Sequence, residues 1–428
     1  MLLIPLAMIQ GQIESRSKRK QSVVDDVAAS TAGRQQLIGP LLIIPYTEWQ
    51  EQKVYDETTK STHMTQVPVE HHQIINPTHL EMGGEVKVEE RHRGLYTTQI
   101  YHLETRLKAR FTVPTVLHAN SQRVKTTFPE NPFVLLGLSD LRGVGNRPSV
   151  VWDGKEVMFT AKAPTRTLPG GVQAHLGPVE ALRGQDLVFE IPLQLMGSQV
   201  LSLAPVADDN RISLKSNWPT PSFTGRFLPV SHRIDGQGFE AQWQVSSLAR
   251  SLESILEPSG KSFTEEALSI AFIEPVNIYL QSERAVKYGF LFVGLTFAGF
   301  FFFEMLKRMP IHPMQYLLVG FALAIFFLLL LSLTEHITFP VAYLIASSAS
   351  VVLLGAYLMH VLQSRWQGMA FTAGFAALFG VLYALLASED NALLTGSLLL
   401  FAVLAIVMMS TRKLDWYALS NRHQNSTM

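Results

Sequence analysis

Hydrophobic and polar positions change rhythm near residue 283 of this 428-residue chain. Beyond it they form five almost unbroken apolar runs, at 286–306, 314–333, 339–362, 369–387 and 392–409. A helix rises about 1.5 Å per residue, so about 20 apolar residues cross a hydrocarbon core of about 30 Å. A soluble helix of that length keeps a polar stripe, and these runs have almost none. The pattern predicts five transmembrane helices. Before residue 283 the rhythm has a period of two, as in GEVKVEER (84–91), TQIYHLETRLKARFTV (98–113), VVWDGKEVMFTAKA (150–163) and RISLKSNW (211–218). Such alternation sets one strand face on a core and the other in water. Turn signals separate the runs, and Asp153-Gly154 between two of them predicts a hairpin. Strands with short turns point to a sandwich or layered antiparallel sheet. Two amphipathic helices are expected to flank it, at 21–31 and 264–272. The fold class is α+β, a β-rich domain followed by a polytopic α-helical membrane domain.

Charge orients the runs. Lys307 and Arg308 follow the first, Arg365 follows the third, and Arg412, Lys413 and Arg422 follow the fifth. The intervening gaps hold Glu335, and Glu389 with Asp390, without Lys or Arg. Basic residues in short loops stay cytoplasmic, so the C-terminus is expected inside and the β-rich domain outside. Arg284 and Lys287 stand at the outer end of the first run, against this scheme, but long translocated domains obey the charge rule poorly. The opening MLLIPLAMIQ is too short to span and lacks a signal peptide's basic start. Residues 1–14 are expected to be the remnant or outer half of an N-terminal transmembrane helix, the alternative being an anchor lying on the membrane surface. The expected division is then 15–283 as a periplasmic β-rich domain, 284–411 as the transmembrane helices and 412–428 as a cytoplasmic tail.

Composition narrows the chemistry. Net charge is zero and only 16% of residues are charged, which fits a lipid-embedded chain. The basic stretch from Arg16 to Lys20 fits a helix flank or an anionic-lipid contact rather than nucleic acid. With no cysteine there are no disulfides or thiolate sites. No metalloprotease, phosphate-loop, nucleophile-elbow or dinucleotide signature is present. Gly137-Leu138-Ser139-Asp140 lacks the closing glycine of an elbow. Histidines at 63, 71, 72, 79, 92 and 102 lack metal-ligand spacing and read as solvated. No cofactor or metal is expected, and the partners expected are the bilayer and an envelope protein or a second copy. Two groups are candidate sites. One is a polar cluster at the outer membrane boundary: Glu335, His336, Glu389 and Asp390. The other is the proline-rich stretch 218–229, WPTPSFTGRFLP, which cannot continue a central strand and predicts an ordered loop or edge packing Trp218, Phe223 and Phe227, a candidate interaction loop.

Several stretches together carry a resemblance: QLIGPLLIIPY (36–46), SNWPTPSFTGRFLP (216–229), GFEAQW (238–243), FFFEMLKRMPIHPMQYLLVG (301–320), LLLLSLTEH (328–336), SEDNALLTGS (388–397) and TRKLDWY (411–417). With them the chain resembles the CreD family of bacterial inner-membrane proteins, over about residues 30–417. The resemblance implies an N-terminal transmembrane helix, a large periplasmic domain and a C-terminal helical membrane domain in a Gram-negative inner membrane. It further implies expression under a two-component pair, with links to colicin tolerance, β-lactam response and envelope integrity. It implies no enzyme activity and assigns no site residue. The function expected is structural support or interaction in envelope maintenance. The alternative is a transporter or lipid-handling protein using the outer polar cluster.

Overall fold

The computed structural model describes residues 3–56, 61–94, 96–117, 125–165, 168, 170–249, 266–272, 278–307, 312–361 and 365–387, with 396–398, 401, 404–405 and 408–409. The chain forms two compact units, Lys20–Pro275 and Met1–Arg19 with Val276–Met428. One helix, α1 (Leu3–Ser30), contributes to both. It includes the expected 21–31 helix and the short apolar opening, which therefore continue one another.

The β unit has two sheets. The strands are β1 Gln35–Asp56, β2 Ser61–Ile75, β3 His79–Arg93, β4 Tyr96–Thr112, β5 Lys125–Thr127, β6 Phe133–Leu138, β7 Ser149–Trp152, β8 Lys155–Met158 and β9 Thr160–Lys162. They continue with β10 Gly171–His175, β11 Asp186–Ser198, β12 Val200–Ala204, β13 Asp209–Ser216, β14 Pro221–Gly225, β15 Ser231–Asp235, β16 Gly238–Ser246 and β17 Leu268–Phe272. Nine strands form one sheet in the order β14-β17-β12-β1-β6-β10-β9, with β2 and β5 also pairing β1. Eight form the other, β15-β16-β13-β3-β4-β11-β7-β8. Side chains of both sheets share one core, as where Tyr101 on β4 meets Phe272 on β17 with ring centres 5.0 Å apart. Burying each such aromatic contributes about 1.5–3 kcal/mol.

The alternating runs became strands, with alternate burial clearest in β4 and β13. The Asp153-Gly154 hairpin joins β7 to β8 with both turn residues at positive φ, 48° and 70°, the twist that suits a two-residue loop. Two expectations are corrected. The helix expected at 264–272 is strand β17 where the structure describes it, paired to β12 and β14 and buried along nearly its whole length. Its apolar run fits a doubly buried strand as well as a helix, and two waiting sheet edges decide the matter. Nor is the sheet wholly antiparallel, since β1 pairs β12, and β13 pairs β3, in parallel.

In the helical unit α2 (Ile278–Lys307), α3 (Pro313–Thr334), α4 (Phe339–Val361) and α5 (Arg365–Ala387) contain the first four apolar runs. Among the described residues three stretches, Pro313–Thr334, Phe339–His360 and Arg365–Leu386, are long and apolar enough to cross a membrane. α3 starts with a capping box in which His312 Nδ1 accepts from Met314 N–H while the Gln315 side chain accepts from His312 N–H. Aromatic residues fill the bundle: Phe292, Phe326 and Phe379 lie within 4.8 Å of one another in the Phe292–Phe379 and Phe326–Phe379 pairs. Tyr343 Oη donates to Phe379 O at 2.7 Å and ties α4 to α5. The fifth run, 392–409, lies mostly outside the described residues.

Candidate functional site

The polar boundary cluster resolves residue by residue. Glu335 is the C-cap of α3, so its carboxylate sits where that helix stops. It is held by Arg16 of α1, whose Nη1 lies 2.9 Å from Oε1 and 3.1 Å from Oε2. The Glu335 side chain is only 9% exposed against 43% for Arg16, so the carboxylate gives up most of its hydration and the guanidinium compensates. Arg16 reaches it because Ile9, Ile13 and Arg16 share one face of α1 at i, i+4 and i+7, and both isoleucines are buried in the helical core. His336 is exposed in the turn after α3. Glu389 and Asp390 lie outside the described residues. Of the four, then, the structure joins Glu335 to a residue that sequence reasoning read only as part of a basic flank. The signal was the spacing of Arg16 behind two isoleucines.

The stretch 218–229 packs inward. Trp218 is buried and donates from Nε1 to Thr220 O at 3.1 Å. Phe223 stands on β14, the end strand of its sheet, with Phe239 and Trp243 edge-on at 5.5 and 5.6 Å and His232 at 5.7 Å. Phe227 is partly buried against the same core. Arg226 pairs with the buried carboxylate of Glu266, and its N–H donates to Ala267 O. Gly225 has φ 89°, and a Cβ there would run into Ala267 O, so the chain passes β17 only as glycine. All three aromatic rings therefore contribute to closing the sandwich.

A polar network lies where α1 ends. Arg142, in a 3-10 turn at Leu141–Gly143, donates to Ala29 O near the C-terminus of α1. Asp140 holds that guanidinium, with Oδ2 2.6 Å from Nη2 and Oδ1 3.0 Å from Nε, and also accepts from Gly33 N–H at 3.3 Å. The Arg142 hydrogen bond pulls the Asp140 carboxyl below the usual carboxylate range. Gln35 completes the clamp, donating to Asp140 O and Met196 O and accepting from Ser139 Oγ. Ser139 is thus a structural hydroxyl. A cation at a helix C-terminus also complements the helix dipole.

The histidines are dispersed. His71 lies 3.6 Å from Glu48 and stacks on Tyr46, His79 meets Asp209 at 3.1 Å, and His92 meets Thr97 at 3.1 Å. Burial, with Lys162 nearby, pushes His72 below the ordinary imidazole value. Among the described residues no three His, Asp or Glu side chains converge on a metal-sized point. His63 and its side chain contacts lie outside the described side chains.

Comparison with known proteins bears on the whole chain. A family model described as inner membrane protein CreD matches residues 1–417. The chain is similar to the inner membrane protein CreD of Escherichia coli (strain K12), at 37% identity over 427 residues, covering 98% of this chain and 92% of that protein. Among solved structures it is similar to two forms of an M1 zinc metallopeptidase from Deinococcus radiodurans, one of them bound to a Tyr-Ser-Ala substrate. Their TM-scores are 0.24 and 0.22, with 8% and 7% identity, over 46% of this chain and 42% of each peptidase. That likeness spans less than half of the peptidases and is too slight to bear on chemistry.

Proposed function

Since the chain belongs to the CreD family of inner membrane proteins, we propose that it is a multi-pass protein of a Gram-negative inner membrane whose β-rich domain stands in the periplasm and supports envelope integrity under stress by binding other envelope components. Five membrane helices and a cytoplasmic C-terminus complete this topology. The observation that carries the reading is the size and make-up of the β unit. It has two large sheets around a single, mainly aliphatic core, and polar groups such as Gln35, Asp140 and Arg142 are held in internal clamps. Such a unit offers broad sheet surface to a partner. The transporter alternative relies on the boundary cluster, and Glu335 within it is already matched by Arg16, which favours a structural role for that residue.

The test is crosslinking in intact cells with an amine-reactive reagent, followed by purification in mild detergent. The interaction reading expects a reproducible larger species containing a defined envelope protein or a second copy. A protein recovered only as monomer, while the crosslinker demonstrably acts on a known complex in the same cells, would overturn it.

A further inference from the structure

A groove of about 590 Å³ runs along the outside of the helical unit between α4 and α5. Val341, Leu344 and Val351 line it from α4, and Phe379, Gly380 and Tyr383 from α5. Its walls are almost wholly apolar. Ser348, exposed on α4, and Tyr383 add hydroxyls within it. The floor is rigid, because Tyr343 Oη is fixed to Phe379 O and the Tyr343 and Tyr383 rings meet at 5.2 Å. Both walls belong to stretches long and apolar enough to cross a bilayer, so hydrocarbon is the solvent this groove opens onto.

Length identifies the occupant. On α5 the lining spans only Ala376 to Tyr383, about 10 Å, and on α4 it runs from Pro340 to Val351, which at about 1.5 Å per residue is about 16 Å. That is the depth of one leaflet, half of a hydrocarbon core of about 30 Å. The groove also begins within a few residues of the α4 N-terminus, so it starts at a membrane surface and ends near the midplane. A volume of this size suits one extended chain.

We propose that this groove seats one acyl chain of a phospholipid from the leaflet on the Glu335 side of the membrane. Straight-chain methylenes lie against Val341, Leu344, Val351 and Phe379, and the ester region lies level with the first turn of α4. The inference needs only that these helices span a bilayer, and it is independent of what the β unit binds.

Gly380 supplies a direct test. A Cβ at this position meets nothing within 4 Å, so a larger side chain grows into the groove without a clash at its root. Gly374, on the same helix, is equally open and does not line the groove, which makes it the matched control. The full chain is reconstituted in vesicles of phosphatidylethanolamine and phosphatidylglycerol with a trace of phosphatidylethanolamine carrying a photoreactive group on one acyl chain. After illumination, label is mapped by mass spectrometry. Label is expected on the peptides spanning 340–351 and 376–383. Gly380→Leu is expected to lower it roughly tenfold, while Gly374→Leu, purified in the same monodisperse form, keeps it. Equal labelling of the two variants, or label spread evenly over every spanning helix, would overturn the proposal. A disulfide formed in high yield between cysteines placed at 348 and 401 would also overturn it, by showing that the chain's own last apolar run fills the space.

Discussion

In a map of charge along the chain Arg16 belongs to a basic stretch that argues for a cytoplasmic position, while Glu335 sits in a gap without Lys or Arg. Their contact at 2.9 Å joins the two. A charge rule counts residues, but a partnered guanidinium is no longer a free positive charge at the membrane surface. The pair is half-exposed on one side and buried on the other, so its strength lies between an exposed pair, about 0.5 kcal/mol, and a buried one, about 3 kcal/mol. Arg16→Ala is expected to destabilise the detergent-solubilised protein by about 1–2 kcal/mol. Glu335→Gln in that background is expected to cost little more, since the carboxylate has then already lost its partner. A double-mutant cycle from denaturant unfolding measures this, and strictly additive effects would show the two side chains to be uncoupled. The Arg16 partnership was legible only in part. Its helical face could be read from Ile9 and Ile13, whereas the residue it meets lies hundreds of positions away and no local pattern encodes that.

Among the elements, strands with one wet face were readable and strands with none were not. β3, β4 and β13 announce themselves by alternation. β6 and the middle of β1, Leu41 to Ile44, are buried on both faces, so they show only a continuous apolar run. β17 was misread for the same reason: length and hydrophobicity do not separate a short buried strand from a short buried helix. The second, third and fourth apolar runs were readable as membrane-length helices because lipid imposes both length and composition. Turns were readable where chemistry is strict. Asp153 and Gly154 both hold positive φ, and a Cβ at Gly154 meets no atom within 4 Å, so its substitution tests backbone conformation alone. Gly154→Ala is expected to cost about 1–2 kcal/mol. Gly83→Ala, in β3 with ordinary φ and open space around it, is expected to be neutral or slightly stabilising. Equal effects in urea unfolding would mean that the hairpin does not hold the strained turn.

For the whole molecule the proposed role turns on the compartment that the β unit faces. Lys155, exposed beside the β7–β8 turn, is a convenient reporter, because the chain has no native cysteine. Lys155→Cys in spheroplasts is expected to react with a bulky, membrane-impermeant maleimide before lysis. Reaction only after lysis would place the domain in the cytoplasm and remove the envelope-facing role with it. Function was the least legible level. The sequence patterns and the clamps at Asp140, Arg142 and Glu266 all describe how the chain holds itself together. Recognition by another molecule leaves no such periodic trace.

One consequence follows from the place of β1. It is the first strand made, yet it lies inside its sheet, with Leu37 aligned to Leu203 of β12 and β17 completing the far side only at Phe272. A ribosome working from the N-terminus therefore releases β1 with β2 soon behind it, whereas β12 and β17, which complete the other side, follow much later. Non-local pairing of this kind is slow and prone to aggregation. Until β12 has been translated, the Gln35–Ile38 part of β1 lacks its parallel partner.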